Sequence, residues 1–413
     1  MTSDPAAGSQ RSTISIGQAL LLRGALLMLI ASAALGTGAG ASAGEFLGGG
    51  MNAHVHLGSL GWMTLAVLGV AVAMLDEPSE RLHVRLEVAL SALALVAVVA
   101  FVVATATHAV AGQAWAGTAA MAALMAFVVH LAVRWRSSPV ISEATLAMAA
   151  ALMVLLGGSV LGVLSASAAD SGKLDSASDL ASSHAAVLSV PFVLLAGTAL
   201  VAWSAGDRVH TTPSAVGTAG LVQVGLLLLG AAALFGGALT DSLALVEANV
   251  PLQAGGIGLF LVRVGARVFE RGWLRRGRAW LVTCSLFLAV EVGLFAHVVF
   301  EIGRQRYPSI DLVPEWLLFA VDHVTLVGIG TAALFGAVAA ISPRAGELWE
   351  ATDAPAAAGT AVGLAGMAAG IGVKSQAVEI AFGAISGVSL LVAAAAAARR
   401  VHAMRRPSAA GGG

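Results

Sequence analysis

Apolar runs long enough to cross a lipid bilayer recur twelve times in this chain. They fall at about 16–37, 53–75, 86–107, 113–133, 144–166, 184–204, 216–238, 250–268, 279–302, 316–341, 356–373 and 377–398. A spanning helix needs about 20 apolar residues at about 1.5 Å of rise each, because hydrocarbon offers backbone N–H and C=O groups no partner outside the helix. The pattern predicts an all-α polytopic membrane protein, with 1–413 forming one integral membrane domain. Composition agrees: 58% of residues are hydrophobic and 11% charged, where soluble domains carry about a quarter charged. A net charge of -1 leaves no basic surplus for nucleic acid. The charged loops are too short for a soluble catalytic domain, so any chemistry sits in the bilayer or at its edge. The single cysteine, Cys284, excludes an internal disulfide, a CxxC pair and a cysteine-rich zinc site. A bound metal would therefore take histidine.

Passing the loops alternately through twelve spans divides the 22 basic residues 18 to 4, with only Lys173, Arg304, Arg306 and Lys374 on the sparse side. The positive-inside rule then predicts a multi-pass protein of a bacterial-type plasma membrane with both termini cytoplasmic. Ala41-Ser42-Ala43-Gly44 resembles a leader cleavage site, but the length of the first run and the even helix count favour a span. The Ala/Gly/Ser/Pro-rich tails, 1–10 and 407–413, read as disordered.

Of the ten histidines, six fall toward the sparse, outer side. His54 and His56 open the second span, His108 ends the third and His184 opens the sixth, while His297 and His323 lie in the outer parts of the ninth and tenth. His108 reads as a helix-end residue; the others form a candidate cluster of ligands or proton carriers, because ionisable groups at membrane depth are costly. Three of them head similar segments. His56, His184 and His323 are each followed by a small residue five positions later (Gly61, Ser189, Gly328) and by glycine thirteen later (Gly69, Gly197, Gly336). They are 128 and 139 residues apart, on spans two, six and ten, which predicts three pseudo-symmetric four-helix repeats, about 16–133, 144–268 and 279–398.

These residues resemble the haem-copper oxidase subunit I superfamily, and within it the NnrS-like branch. His54-Val55-His56 followed by Gly61-Trp62 is similar to that branch's helix-two motif, and His323 to Gly328 to its later His-x4-Gly segment. The resemblance implies twelve helices in three arcs and a haem b, with copper as a second metal, linked to electron transfer or to sensing or detoxification of nitric oxide or oxygen. His56 or His54 matches one haem ligand, with the repeat favouring His56, and His323 matches its partner. His184 lies on the helix that supplies a copper ligand, and His54, His184 and His297 are the metal-ligand candidates. The departures are specific. Val321 stands where oxidases place a second helix-ten histidine, the seventh span has no histidine and the sixth no tyrosine, which argues against an oxygen-reducing dinuclear centre. An electron donor or a small gaseous ligand is the implied partner, beside the lipid bilayer.

Two imidazoles from different helices suit a haem on chemical grounds as well. His54 and His56 are about 200° apart around a helix, so only one can face a given ring. His297, Glu301 and Arg304 share a helical face at i, i+4, i+7, and Arg306 lies two residues on. The planar guanidinium forks of Arg304 and Arg306 suit haem propionates, and local pairing with Glu301 or Asp311 is the rival reading. Glu291 at mid-membrane and Asp322 beside His323 are proton-path candidates, and Glu379 is a further buried acid. A proton-coupled or metal-ion transporter using the same histidines and Glu291, and a non-catalytic membrane scaffold, are the competing functions.

Overall fold

The computed structural model describes residues 14–41, 50–75, 81–136, 141–205, 216–240, 242–270, 277–306, 312–342 and 350–404. The tails read as disordered, the segment after Ala41, His210 and Asp311 lie outside the described residues. Among those described there is no strand, and twelve helices are long and apolar enough to span a membrane. They are α1 (Ile16–Gly38), α2 (Ala53–Ala73), α3 (Leu82–Ala106), α4 (Val110–Arg136), α5 (Glu143–Asp170), α6 (Leu174–Ala205), α7 (Thr218–Thr240), α8 (Leu243–Phe269), α9 (Arg278–Gly303), α10 (Trp316–Ile341), α11 (Ala351–Gly372) and α12 (Gln376–Ala403). The chain is an all-α polytopic membrane protein.

The helices form a ring around a centre. Neighbours run α1, α3, α4, α5, α7, α8, α9, α11, α12 and back to α1, and α10 meets both α2 and α6 inside. Each successive group of four thus contributes three helices to the ring and its second helix to the interior. Burial agrees: the apolar stretches of α2, α6 and α10 are 72%, 72% and 83% buried, against 33–50% for the ring. Ring helices turn large apolar side chains outward, among them Leu27, Val96, Met153, Leu229, Val262 and Val388, as lipid-facing surfaces do and soluble ones rarely do. The face on which α1 begins is called here the arginine face, and the opposite one the histidine face.

What holds each group together at the arginine face is a charged clamp that recurs three times. Arg134 of α4 donates to Glu87 of α3 at 2.9 Å, and Glu87 also accepts the Ser15 hydroxyl at the start of α1. Arg263 of α8 donates to Glu143 of α5 at 3.2 and 2.7 Å and to Gln223 of α7 at 3.0 Å. Arg400 of α12 forks onto Asp353 of α11 at 3.0 and 2.8 Å, while the Trp280 indole of α9 donates to the same carboxylate at 3.2 Å. In each case the fourth helix carries arginine, the third an acceptor and the first a further polar partner. A buried cation is tolerated when its donors find carboxylates, and these do.

The interior helices are not regular. π-Helical turns run over Leu57–Thr64 in α2, Leu188–Phe192 in α6 and Val324–Thr331 in α10, with a fourth over Leu261–Gly265 in α8. A wider turn strains the i to i−4 ladder, and threonine repairs it in two places: Thr64 donates to the Ser59 carbonyl at 3.2 Å and Thr331 to the Leu326 carbonyl at 3.0 Å. Thr331 also accepts the buried Trp62 indole N–H at 2.8 Å, tying α2 to α10.

Helix α6 begins ten residues before the apolar run at 184–204. Its first ten residues, Leu174–Ser183, are polar enough to escape a hydropathy reading, yet their backbone is helical. His184 therefore sits well inside α6 rather than opening it.

Candidate functional site

Three histidines on the interior helices share one device. His54 Nδ1 lies 2.8 Å from the Ser32 carbonyl oxygen of α1, with the Ser32 hydroxyl 3.1 Å from the same nitrogen. His184 Nδ1 lies 2.7 Å from the Gly158 carbonyl oxygen of α5. His323 Nδ1 lies 3.0 Å from the Phe319 carbonyl oxygen one turn back, its ring stacked on Phe319 with centroids 3.7 Å apart at 23°. A carbonyl only accepts, so Nδ1 carries the proton in each ring and the Nε2 lone pair is left for a metal. A backbone carbonyl behind Nδ1 is the usual support of a metal-ligating imidazole.

The structure brings some sequence candidates together and separates others. His54 and His323, from contacting helices α2 and α10, are near enough to interact electrostatically. His56, favoured by the repeat, turns the other way: its ring meets Phe101 of α3 edge-on, with centroids 5.1 Å apart. The repeat register shifts accordingly. His184 occupies the place of His54, not of His56, since both hydrogen-bond the preceding ring helix and both lie against a glycine four residues beyond the accepting carbonyl. A Cβ on Gly36 would sit 2.7 Å from the His54 ring, and one on Gly162 would sit 2.7 Å from the His184 ring. A spacing match cannot see which way a side chain points, and each π-turn rotates the rest of its helix about the axis. His108 adopts a left-handed backbone, φ 52°, in the α3–α4 turn, consistent with a helix-end role.

Among the described residues no three His, Cys, Asp or Glu side chains converge as a metal ion requires, so His54, His184 and His297 do not meet. On α9, His297 interacts with Glu301, and Glu301 accepts Arg304 at 3.3 Å and Arg306 at 3.0 Å. The face read from the spacing is therefore formed, and its arginines are engaged locally. Their side chains are 76% and 69% exposed.

A second group lies deeper. Glu291 of α9 is fully buried and neither carboxylate oxygen has a hydrogen-bond partner in bonding geometry among the described residues. Thr325 of α10 lies beside it, but its hydroxyl donates to the Val321 carbonyl at 2.7 Å. Glu291 lines a narrow crevice between α6, α8 and α9, with Val190, Leu194, Val250, Gln253, Val292 and Phe295, nowhere wide enough to seat a water molecule. On α8, Asn249 and Gln253 are 0% and 3% exposed. Both amide atoms of Asn249 and the amide nitrogen of Gln253 are unpartnered among the described residues. Asp322, the other proton-path candidate, is exposed and interacts with Glu291.

Sequence reasoning missed Asn249 and Gln253, and it missed the clamps. Two amides at i, i+4 inside an apolar span were the available signal for the first. For the second it was Arg134, Arg263 and Arg400, each closing a fourth helix 129 and 137 residues apart, much like the histidines. The chain matches no protein-family model and no curated protein.

Proposed function

We propose that this protein binds haem b within the membrane, with His54 of α2 and His323 of α10 as the two axial ligands, and that it serves electron transfer or the sensing or detoxification of nitric oxide or oxygen. The observation that carries the reading is the paired arrangement of these imidazoles. They come from contacting interior helices, and each has Nδ1 held by a backbone carbonyl, so that both Nε2 lone pairs are available. The donor set suits haem iron, which takes two axial imidazoles. It does not suit a three-histidine copper site, since the described histidines are not gathered into one, and copper is not part of the proposal.

Bound haem would supply one-electron redox chemistry. What the chain supplies is orientation and tuning. The Ser32 and Phe319 carbonyls fix ring tautomer and azimuth and raise ligand basicity. Phe319 holds the His323 ring in place by stacking, and the apolar interior of α2, α6 and α10 excludes water, which controls redox potential. Arg304 and Arg306 direct their charges to Glu301 and are assigned no role here. The arginine face is proposed to be cytoplasmic in a bacterial-type inner membrane, on the strength of the charge split. Reporters fused after Arg136 and after Thr240 should then report opposite compartments, with Arg136 inside.

The test is an absorption spectrum of the purified protein. A Soret band with low-spin features is expected, lost in His54→Ala and in His323→Ala and kept in His56→Ala and His184→Ala. Haem-free protein after expression with ample haem supply would overturn the reading. Loss in His56→Ala with retention in His54→Ala would transfer the ligand role to the other histidine.

A further inference from the structure

The α6–α8–α9 crevice presents a chemical problem that the haem reading does not touch. In bonding geometry neither Glu291 oxygen meets a donor among the described residues, since Thr325 beside it directs its hydroxyl to the Val321 carbonyl. Gln253, on the opposite wall, has an unpartnered amide nitrogen in a group whose oxygen and nitrogen exchange by a flip, so that it can turn an oxygen donor into the same space. One turn away on the same face of α8, Asn249 packs beside Gln253 against Gly230 of α7, where a Cβ would lie 2.8 Å from Gln253 Cγ and 3.2 Å from Asn249 Oδ1. The third wall, α6, passes through its π-turn here and carries Pro191 within it. The buried side chains with unpartnered atoms at this depth, Glu291, Gln253 and Asn249, each carry an oxygen, and because Asp322 is exposed the buried formal charge is that of a single carboxylate.

We propose that this crevice is a binding site for a monovalent metal cation, held by the Glu291 carboxylate and the Gln253 side-chain oxygen with Asn249 behind them. Charge selects the valence. One carboxylate neutralises one positive charge, whereas a divalent ion would leave a net charge in a low-dielectric interior. Size selects a bare ion: the space does not seat a water, and ions such as Mg²⁺ dehydrate reluctantly and keep several waters. A neutral polar metabolite needs more room than the crevice has. Access is from the histidine face, where exposed Asp322 interacts with Glu291 and offers a first carboxylate to an incoming cation.

Sodium is the probe. Full-length protein in detergent, exchanged into choline chloride, is titrated with NaCl at constant ionic strength while thermal unfolding is followed. A saturable rise in Tm is expected, absent in Glu291→Gln and displaced at least tenfold to higher sodium in Gln253→Leu. Asp322→Asn should leave the size of the rise unchanged and shift its midpoint severalfold upward. If Glu291→Gln fails to fold, Gln253→Leu carries the test alone. No saturable response to Na⁺, Li⁺ or K⁺ would overturn the proposal. So would saturable stabilisation by Ca²⁺ or Mg²⁺ in their place, or an undiminished sodium response in Glu291→Gln and Gln253→Leu. Because the readout needs no haem, its failure leaves the His54–His323 reading standing, and the converse holds.

Discussion

The arginine face and the α6–α8–α9 crevice both bury charge, and they do so in opposite ways. At the arginine face each buried cation has its acid on another helix: Arg400 and Asp353 are 2% and 4% exposed and doubly bonded, and Arg134 and Glu87 are 7% and 1% exposed at 2.9 Å. In the crevice Glu291 is equally buried, and among the described residues its oxygens have no hydrogen-bond partner in bonding geometry, the neighbouring Thr325 hydroxyl donating to the Val321 carbonyl. A paired buried charge joins two helices. An unpaired one is a cost to the fold that only a ligand or a proton can offset. The first arrangement repeats in all three groups of helices, as structural pins should, whereas among the described residues Glu291 is the one buried carboxylate without a partner in bonding geometry.

The largest expected effect breaks a pin. Arg400→Ala leaves Asp353 charged with no cation and only the Trp280 indole N–H as a donor, which should cost about 3–5 kcal/mol, read as a drop in thermal unfolding temperature and in yield. Adding Asp353→Leu to Arg400→Met should recover most of the loss, since apolar replacement of a buried pair is often neutral. Arg263→Ala should cost less, about 1.5–3 kcal/mol as for a hydrogen bond to a charged group, because its side chain is 27% exposed and water can reach the remaining Glu143 carboxylate. Glu291→Gln should fall on the other side of the comparison: in sodium-free buffer its unfolding temperature should match or exceed that of the parent, since a neutral amide is cheaper to bury than a carboxylate. A loss as large as that of Arg400→Ala would show that Glu291 is a pin too. The smallest effect belongs to Arg304→Ala with Arg306→Ala. Both side chains are mostly exposed, so the double variant should unfold at the parent temperature and keep full haem occupancy by pyridine haemochrome assay. A fall in occupancy would return these arginines to the haem site.

The interior histidines show where reading the chain ran short. That His54 and His56 cannot face one ring is dictated by helix geometry alone, and the structure agrees: one turns to Ser32 of α1, the other to Phe101 of α3. Which of them turns to α1 was not so dictated, because the Ser32 carbonyl and the close approach of Gly36 to the imidazole set that direction. Arg304 is the reverse case. Its shared face with His297 and Glu301 was legible from i, i+4, i+7 spacing, and the choice between propionate and Glu301 was a question of distance. The start of α6 was misplaced for a third reason: hydropathy marks what enters hydrocarbon, whereas the helix itself continues through Leu174–Ser183 on backbone hydrogen bonds.

By itself the sequence determined the twelve helices, because a spanning helix is a local object: its hydrogen bonds close within four or five residues, and hydrocarbon permits no other way to satisfy the backbone. It also determined the sparse basic side, since charge bias in short loops can be counted without knowing the packing. Only the tertiary structure decided that α2, α6 and α10 lie inside the ring, that Arg134, Arg263 and Arg400 are paired with carboxylates while the Glu291 oxygens meet no donor in bonding geometry among the described residues, and that the His54 ring bonds α1 while the His56 ring meets Phe101 of α3. The ion-paired partners are 47 to 120 residues apart in the chain. In lipid, where apolar surfaces are nearly equivalent, close packing and hydrogen bonds between helices select one arrangement from many that the hydropathy pattern allows.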